Sequence, residues 1–165
     1  MSTILSKNKI IHFSGICGTG MASLAVLLKM RGYKVRGSDE NVYPPMSDFL
    51  SQNNIEVLNG YSQQNLELVP DLVVIGNALS RGNPEIEEIL DRKLPYISMA
   101  ELLKNYFISG KNSLVVTGTH GKTTTSSLLA WVFEYANLKP GFFIGGIAEN
   151  FGASCLDGRG DFFIT

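Results

Sequence analysis

Little in this sequence invites metal or disulfide chemistry. Only two cysteines, Cys17 and Cys155, and two histidines, His12 and His120, occur in 165 residues. With no CxxC pair and no His/Cys cluster, neither a disulfide framework nor a zinc site is expected, and both thiols read as free. Charge of either sign is scarce as well. The 14 Lys and Arg against 15 Asp and Glu leave a formal net charge of −1, and no basic run forms along the chain. Such a chain offers no field to attract a nucleic-acid backbone. No apolar stretch approaches the roughly 20 residues of a membrane span, and the opening MSTILSKNKI lacks the apolar centre of a signal peptide. The expectation is a cytoplasmic chain with neither nucleic-acid nor membrane partners. Its oligomeric state is left open. Glycine, by contrast, is plentiful at 17 residues, within a balance of 44% apolar and 18% charged residues that suits a folded globular chain.

From Lys9 onward, short β-rich apolar runs alternate with helical stretches, the pattern of a parallel sheet covered by helices, so the class is α/β. Strands are predicted at KIIHFSGI (9–16), KVRGSD (34–39), IEVLNGY (55–61), PDLVVIGNAL (70–79) and LPYISM (94–99). Helices are predicted at 20–33, 44–54, 83–93 and 100–107, with a short helical piece near 62–68. Asn83 and Pro84 supply the cap and first residue of the third of these helices, and acids follow in its first turn. A polar, turn-rich stretch, ISGKNS (108–113), then precedes a new strand, LVVTG (114–118). A domain boundary is placed there, giving domains 1–107 and 108–165. The second contains a helix over 122–137, then GFFIGG (141–146), a glycine-rich loop and a final apolar run, DFFIT (161–165), read as a strand. A strand flush with the last residue makes this second domain read as truncated.

Two glycine loops carry the chemistry. GICGTGM (15–21) follows a strand and opens a helix, so its amides and the helix dipole are expected to face an anion such as a diphosphate. Measured against G-x-G-x-x-G, the spacing gives Gly15, Cys17 and Gly20 with an extra glycine at Gly18, which weakens a standard dinucleotide reading. Asp39, at the end of the second strand, stands where a carboxylate could accept a ribose hydroxyl. The second loop, VVTGTHGKTTT (115–125), lacks the first glycine of a P-loop but keeps its working parts. Gly118, Thr119, His120 and Gly121 can present amides to phosphate oxygens, Lys122 can reach the β- and γ-phosphates, and Thr123 can ligate Mg²⁺. His120 reads equally as a phosphate or base contact and as loop filling. His12 reads as a hydrogen-bonded core histidine.

Two such loops in series, with TGTHGKTTT in second place, resemble the Mur ligase family of peptidoglycan synthesis. The resemblance covers the whole chain. It implies a Rossmann-like UDP-sugar-binding domain followed by the start of a P-loop ATPase domain. GICGTGM, GSD (37–39) and TGTHGKTTT look like the branch that takes UDP-N-acetylmuramate. SDENVYPPMSDFL (38–50), IGNALSRGNPEIE (75–87) and KPGFFIGG (139–146) look like the members that add the murein tripeptide L-alanyl-γ-D-glutamyl-meso-diaminopimelate rather than L-alanine. The resemblance further implies ATP and Mg²⁺ as cofactors and an acyl-phosphate route to the amide, with the catalytic role on Lys122. It assigns Cys17, Gly18, Thr19, Gly20, Met21 and Asp39 to the UDP-sugar, with Gly76, Asn77, Ala78 and Arg81 for its remainder, and Gly118 to Thr124 to ATP. The acidic metal motif and the peptide-binding domain of the family are not found in these residues. The rival readings are a nicotinamide-binding oxidoreductase domain and a nucleotide-sensing module without catalysis.

Overall fold

The structure, a computed structural model, describes residues 6–165. It falls into two compact units, Met1–Leu102 and Leu103–Thr165. The division lies five residues before the sequence-placed boundary, because α4 (Met99–Leu103) runs directly into a π-helical turn, Lys104–Ile108. The polar stretch that suggested a boundary begins only where that helical run ends.

The first unit is built on β1 (Ile10–Ser14), α1 (Thr19–Met30), β2 (Lys34–Asp39), α2 (Met46–Gln52), β3 (Glu56–Asn59), a 3-10 turn (Gln63–Leu66), β4 (Leu72–Ile75), α3 (Pro84–Asp91), β5 (Tyr96–Ser98) and the first residues of α4. Its five strands lie in the order β3-β2-β1-β4-β5, with every neighbouring pair parallel. α1 buries a continuous run from Met21 to Leu28, which is why its sequence is apolar nearly all round. Gly32, at φ +92°, ends that helix in a conformation that favours glycine. α3 starts where Asn83 Oδ1 accepts the amides of Glu85 (3.0 Å) and Ile86 (3.3 Å). Its buried Ile86 and Ile89 pack with Leu66, Val73 and Leu94. Gly37, in β2, meets a close approach: a Cβ there would lie 2.4 Å from the Phe13 carbonyl oxygen and 2.8 Å from Ile16.

The second unit carries β6 (Asn112–Leu114), α5 (Lys122–Tyr135), β7 (Gly141–Ala148), β8 (Ala153–Leu156) and β9 (Phe162–Ile164). The sheet order is β6-β9-β7-β8, parallel except for the antiparallel pair β7–β8. Ala130, Phe142, Ile144, Ala148 and Ile164 form its core. Two expectations shift. The strand read at 114–118 is centred earlier, at Asn112–Leu114, although Val116 N–H still donates to the Thr165 carbonyl (2.7 Å). The glycine-rich loop read before DFFIT contains β8, which pairs back on β7. Among the described residues, no helix is long and apolar enough to cross a membrane.

Candidate functional site

In the first unit the sheet order reverses direction between β1 and β4, and a crevice of about 510 Å³ opens at the carboxyl ends of these strands and β2. This is the switch point at which open α/β sheets bind ligands, and the volume suits a nucleotide-sized molecule. Cys17, Gly18, Thr19, Met21, Asp39, Gly76, Asn77 and Ala78 all line it, so most of the residues assigned to the UDP-sugar are brought together. Gly20 and Arg81 are not among the lining residues. Gly20 lies in the first turn of α1, where only its amide could serve. The Arg81 side chain is 77% exposed and forms a two-pronged pair with Glu87, through Nε to Oε1 and Nη2 to Oε2, each 2.8 Å. That pair holds the Glu87 carboxyl below the usual range.

The first loop is tied down more than its motif suggests. The amides of Gly15 and Ile16 both donate to the Ser38 carbonyl, at 2.8 and 3.1 Å. Cys17 N–H donates to Asp39 Oδ2 at 2.9 Å, and Asn41 N–H to Asp39 Oδ1 at 2.9 Å. Three successive loop amides are therefore spent on the end of β2 and do not face an anion. The first turn-closing bond of α1 runs from Ala22 N–H to the Gly18 carbonyl, which leaves the amides of Gly18, Thr19, Gly20 and Met21 outside the helical ladder. An anion in the crevice would meet those four amides and the helix dipole. Asp39, expected to receive a ribose hydroxyl, is 7% exposed and spends one bond from each oxygen on a loop amide. A carboxylate retains acceptor capacity beyond that.

Burial, with the Asp39 carboxylate beside it, pushes the Cys17 thiol up to about 11. Tyr61 also lines the crevice, and its hydroxyl lies 3.7 Å from where a Cβ on Gly15 would stand. Burial first, then Asp39 and Glu40, raise its phenol to about 12, so at neutral pH it is a hydrogen-bond donor. Sequence reasoning missed Tyr61, together with Asn41, Tyr43 and Leu79 on the same rim. The signal that could have found them is positional: each lies just beyond the carboxyl end of a strand on either side of the switch point.

In the second unit, Gly121 caps α5 in a left-handed conformation (φ +76°), and a Cβ there would meet nothing within 4 Å. Lys122 folds back so that Nζ donates to the carbonyl of Gly118 at 2.5 Å, with Thr119 O at 3.4 Å. The first helical bond runs from Thr125 N–H to the Gly121 carbonyl (2.9 Å), leaving the amides of Lys122, Thr123 and Thr124 outside the ladder. An open, glycine-capped loop with a lysine ammonium at its mouth is a donor set that fits a polyphosphate. Gly146 of β7 lets Thr123 approach closely, since a Cβ there would stand 3.3 Å from Thr123 Cγ2. Thr123 and Thr124 also edge a cleft of about 390 Å³ with Ser127, Glu149 and Asn150. Thr123 offers a hard oxygen suited to Mg²⁺. Among the described residues, no group of three or more His, Cys, Asp or Glu side chains could hold a metal.

A parallel sheet with a crevice at its switch point, followed in the chain by a phosphate-type loop, is the arrangement of α/β proteins of the nucleotide-binding class. Residues 10–109 match the profile of the Mur ligase family, catalytic domain, and the chain belongs to that family. It is 48% identical over 154 residues to the UDP-N-acetylmuramate–L-alanyl-gamma-D-glutamyl-meso-2,6-diaminoheptandioate ligase of Escherichia coli (strain K12), covering 93% of this chain and 34% of that one. To the UDP-N-acetylmuramate–L-alanine ligase of Rickettsia typhi it is 42% identical over 157 residues, covering 94% of this chain and 30% of the relative. The crystal structure of UDP-N-acetylmuramate:L-alanyl-gamma-D-glutamyl-meso-diaminopimelate ligase from Neisseria meningitides is similar at TM-score 0.87 and 44% identity, covering 94% of this chain and 51% of that one. The chain thus spans about a third of the length of the curated relatives it matches.

Proposed function

We propose that this chain carries the UDP-sugar site and the phosphate-gripping loop of a cytoplasmic, ATP-dependent ligase of murein recycling. The ligase joins UDP-N-acetylmuramate to the tripeptide L-alanyl-γ-D-glutamyl-meso-diaminopimelate. Residues 1–107 form the UDP-sugar domain and 108–165 part of the ATP domain. The observation that carries the reading is the crevice at the carboxyl ends of β1, β2 and β4, lined by the loop and the Gly76–Ala78 turn that the resemblance assigned to the UDP-sugar. The tripeptide is favoured over L-alanine by the higher identity to the tripeptide ligase, 48% against 42%.

An ionised carboxylate is a poor acylating agent. ATP with Mg²⁺ would transfer its γ-phosphoryl group to the muramyl carboxylate, with ADP leaving, and the tripeptide amine would then displace inorganic phosphate from the acyl phosphate to form the amide. The chain's own contribution is electrostatic. The amides of Gly18 to Met21 hold the diphosphate of the UDP-sugar, and Tyr61 adds a neutral donor. Lys122, whose Nζ now donates to the Gly118 carbonyl, would meet the transferring phosphoryl oxygens, with the amides of Gly118 to Thr124 around them. Thr123 would supply one ligand to Mg²⁺.

A thermal melt of the chain with each candidate ligand tests this, because a ligand that prefers the folded state raises the midpoint. A rise with UDP-N-acetylmuramate and none with NAD is expected. A rise with NAD alone would replace the ligase reading with a dinucleotide site.

A further inference from the structure

Beneath the glycine loop lies a buried polar cluster that the proposed chemistry does not use. His12 on β1, Ser38 on β2 and Glu85 in the first turn of α3 are all 0% exposed. Glu85 Oε1 lies 2.5 Å from His12 Nε2, and Oε2 accepts from Ser38 Oγ at 2.5 Å. His12 Nδ1 has no hydrogen-bond partner among the described residues. A buried acceptor left unpaired is tolerated better than a buried donor, so the proton belongs on Nε2, which donates to Glu85. The carboxyl group is thereby held from two strands at once.

Ser38 is the hub. Its hydroxyl is fixed by Glu85, its carbonyl receives the amides of Gly15 and Ile16, and the next residue, Asp39, receives the amide of Cys17. We infer that Glu85 is a positioning residue of the first-unit site: acting through Ser38, it sets the glycine loop so that the amides of Gly18 to Met21 point into the crevice. This rests on the reading of that crevice as the UDP-sugar site. Glu85 stands on a helix far along the chain from the loop and is not among the residues that line the crevice.

The test has two readouts on the 165-residue chain: residue-resolved amide hydrogen exchange, and calorimetric affinity for UDP-N-acetylmuramate. The variants are Glu85→Ala, Glu85→Gln, Ser38→Ala and the Glu85→Ala/Ser38→Ala double. In Glu85→Ala and Ser38→Ala the amides of Gly15, Ile16 and Cys17 should exchange about tenfold faster, the equivalent of roughly one hydrogen bond, while that of Val73 in β4 keeps its protection. Affinity should fall by about the same factor in each, and no further in the double variant. Glu85→Gln, which keeps the shape and one acceptor, should recover part of it. Unchanged exchange at residues 15–17 in folded Glu85→Ala overturns the inference, as does acceleration spread evenly over the sheet with affinity intact. If Glu85→Ala does not fold, Ser38→Ala, which removes a single hydroxyl, decides by the same criterion. Wild-type chain that shows no UDP-sugar binding would refute the proposed ligand. The exchange pattern would still judge the role of Glu85.

Discussion

Asp39 acts on three neighbours at once: it accepts the Cys17 and Asn41 amides, and its charge raises both the Cys17 thiol and the Tyr61 phenol. Asp39→Asn removes that charge and turns an amide NH₂ toward one of two backbone donors. We expect it to cost about 1–3 kcal/mol of stability, measured by urea unfolding. Both raised groups should also fall toward their ordinary values of 9.0 and 10.0, though not all the way, since burial is the larger cause in each. The pH dependence of Cys17 alkylation and of tyrosinate absorbance reads this out; unchanged midpoints would show that Asp39 does not govern them. The sign for stability follows. Both groups keep their protons to higher pH when folded, so the unfolded chain loses protons first, and stability is full below about pH 9 and declines as pH rises toward about 12. A flat unfolding free energy across that window would contradict the shifts. At this scale the loop residues and Asp39 were legible in the sequence because a motif fixes their spacing. Tyr61 was not, because only the packing of β3 beside β2 carries the following turn over Gly15.

Among the elements, β2 and α3 are the two whose sequence choices are most constrained. Gly37→Ala would drive a methyl to 2.4 Å from the Phe13 carbonyl, a contact between backbone atoms that cannot be relieved by a rotamer. The expected cost is about 3 kcal/mol or more, seen as a large drop in midpoint and weakened UDP-sugar binding, because Ile16 of the loop is displaced with it. Asn83→Ala removes the cap of α3 and should cost about 1 kcal/mol; a variant as stable as wild type would show that Pro84 and the buried Ile86 hold the helix start alone. The elements of the first unit were legible from local signals: β1 and β4 as short buried apolar runs, α1 ended by Gly32 and α3 opened by Asn83–Pro84. β8 was not. ASCL is four residues, with Gly152 before it and Asp157–Gly158 after it, and its pairing with β7 rather than its own propensity makes it a strand. β6 was placed too late for a related reason: LVVTG reads as one apolar run, but only Asn112–Leu114 lies in register with β9.

For the molecule as a whole, α5 presents a feature that its own unit does not satisfy. Leu128, Trp131, Val132 and Tyr135 are 59%, 45%, 51% and 86% exposed and stand at the i, i+3, i+4, i+7 spacing of one helix face. The buried Ser126 and Ala130 lie elsewhere around the same helix. Helical periodicity in the sequence shows that this face is apolar but not whether anything covers it, which is why it was not legible beforehand. If the stripe contributes nothing to the fold of this chain, Leu128→Glu and Val132→Glu should change unfolding free energy by no more than about 0.5 kcal/mol, whereas Ala130→Glu should abolish the second unit's core. Trp131, the single tryptophan of the chain, reports on the same face. In the isolated chain its fluorescence should be readily quenched by acrylamide, more so than expected for a core indole. Strong protection of Trp131 at low protein concentration would mean that the stripe is covered within this chain. Protection that appears only as concentration rises would mean that a second copy covers it, and the two glutamate substitutions should then remove it.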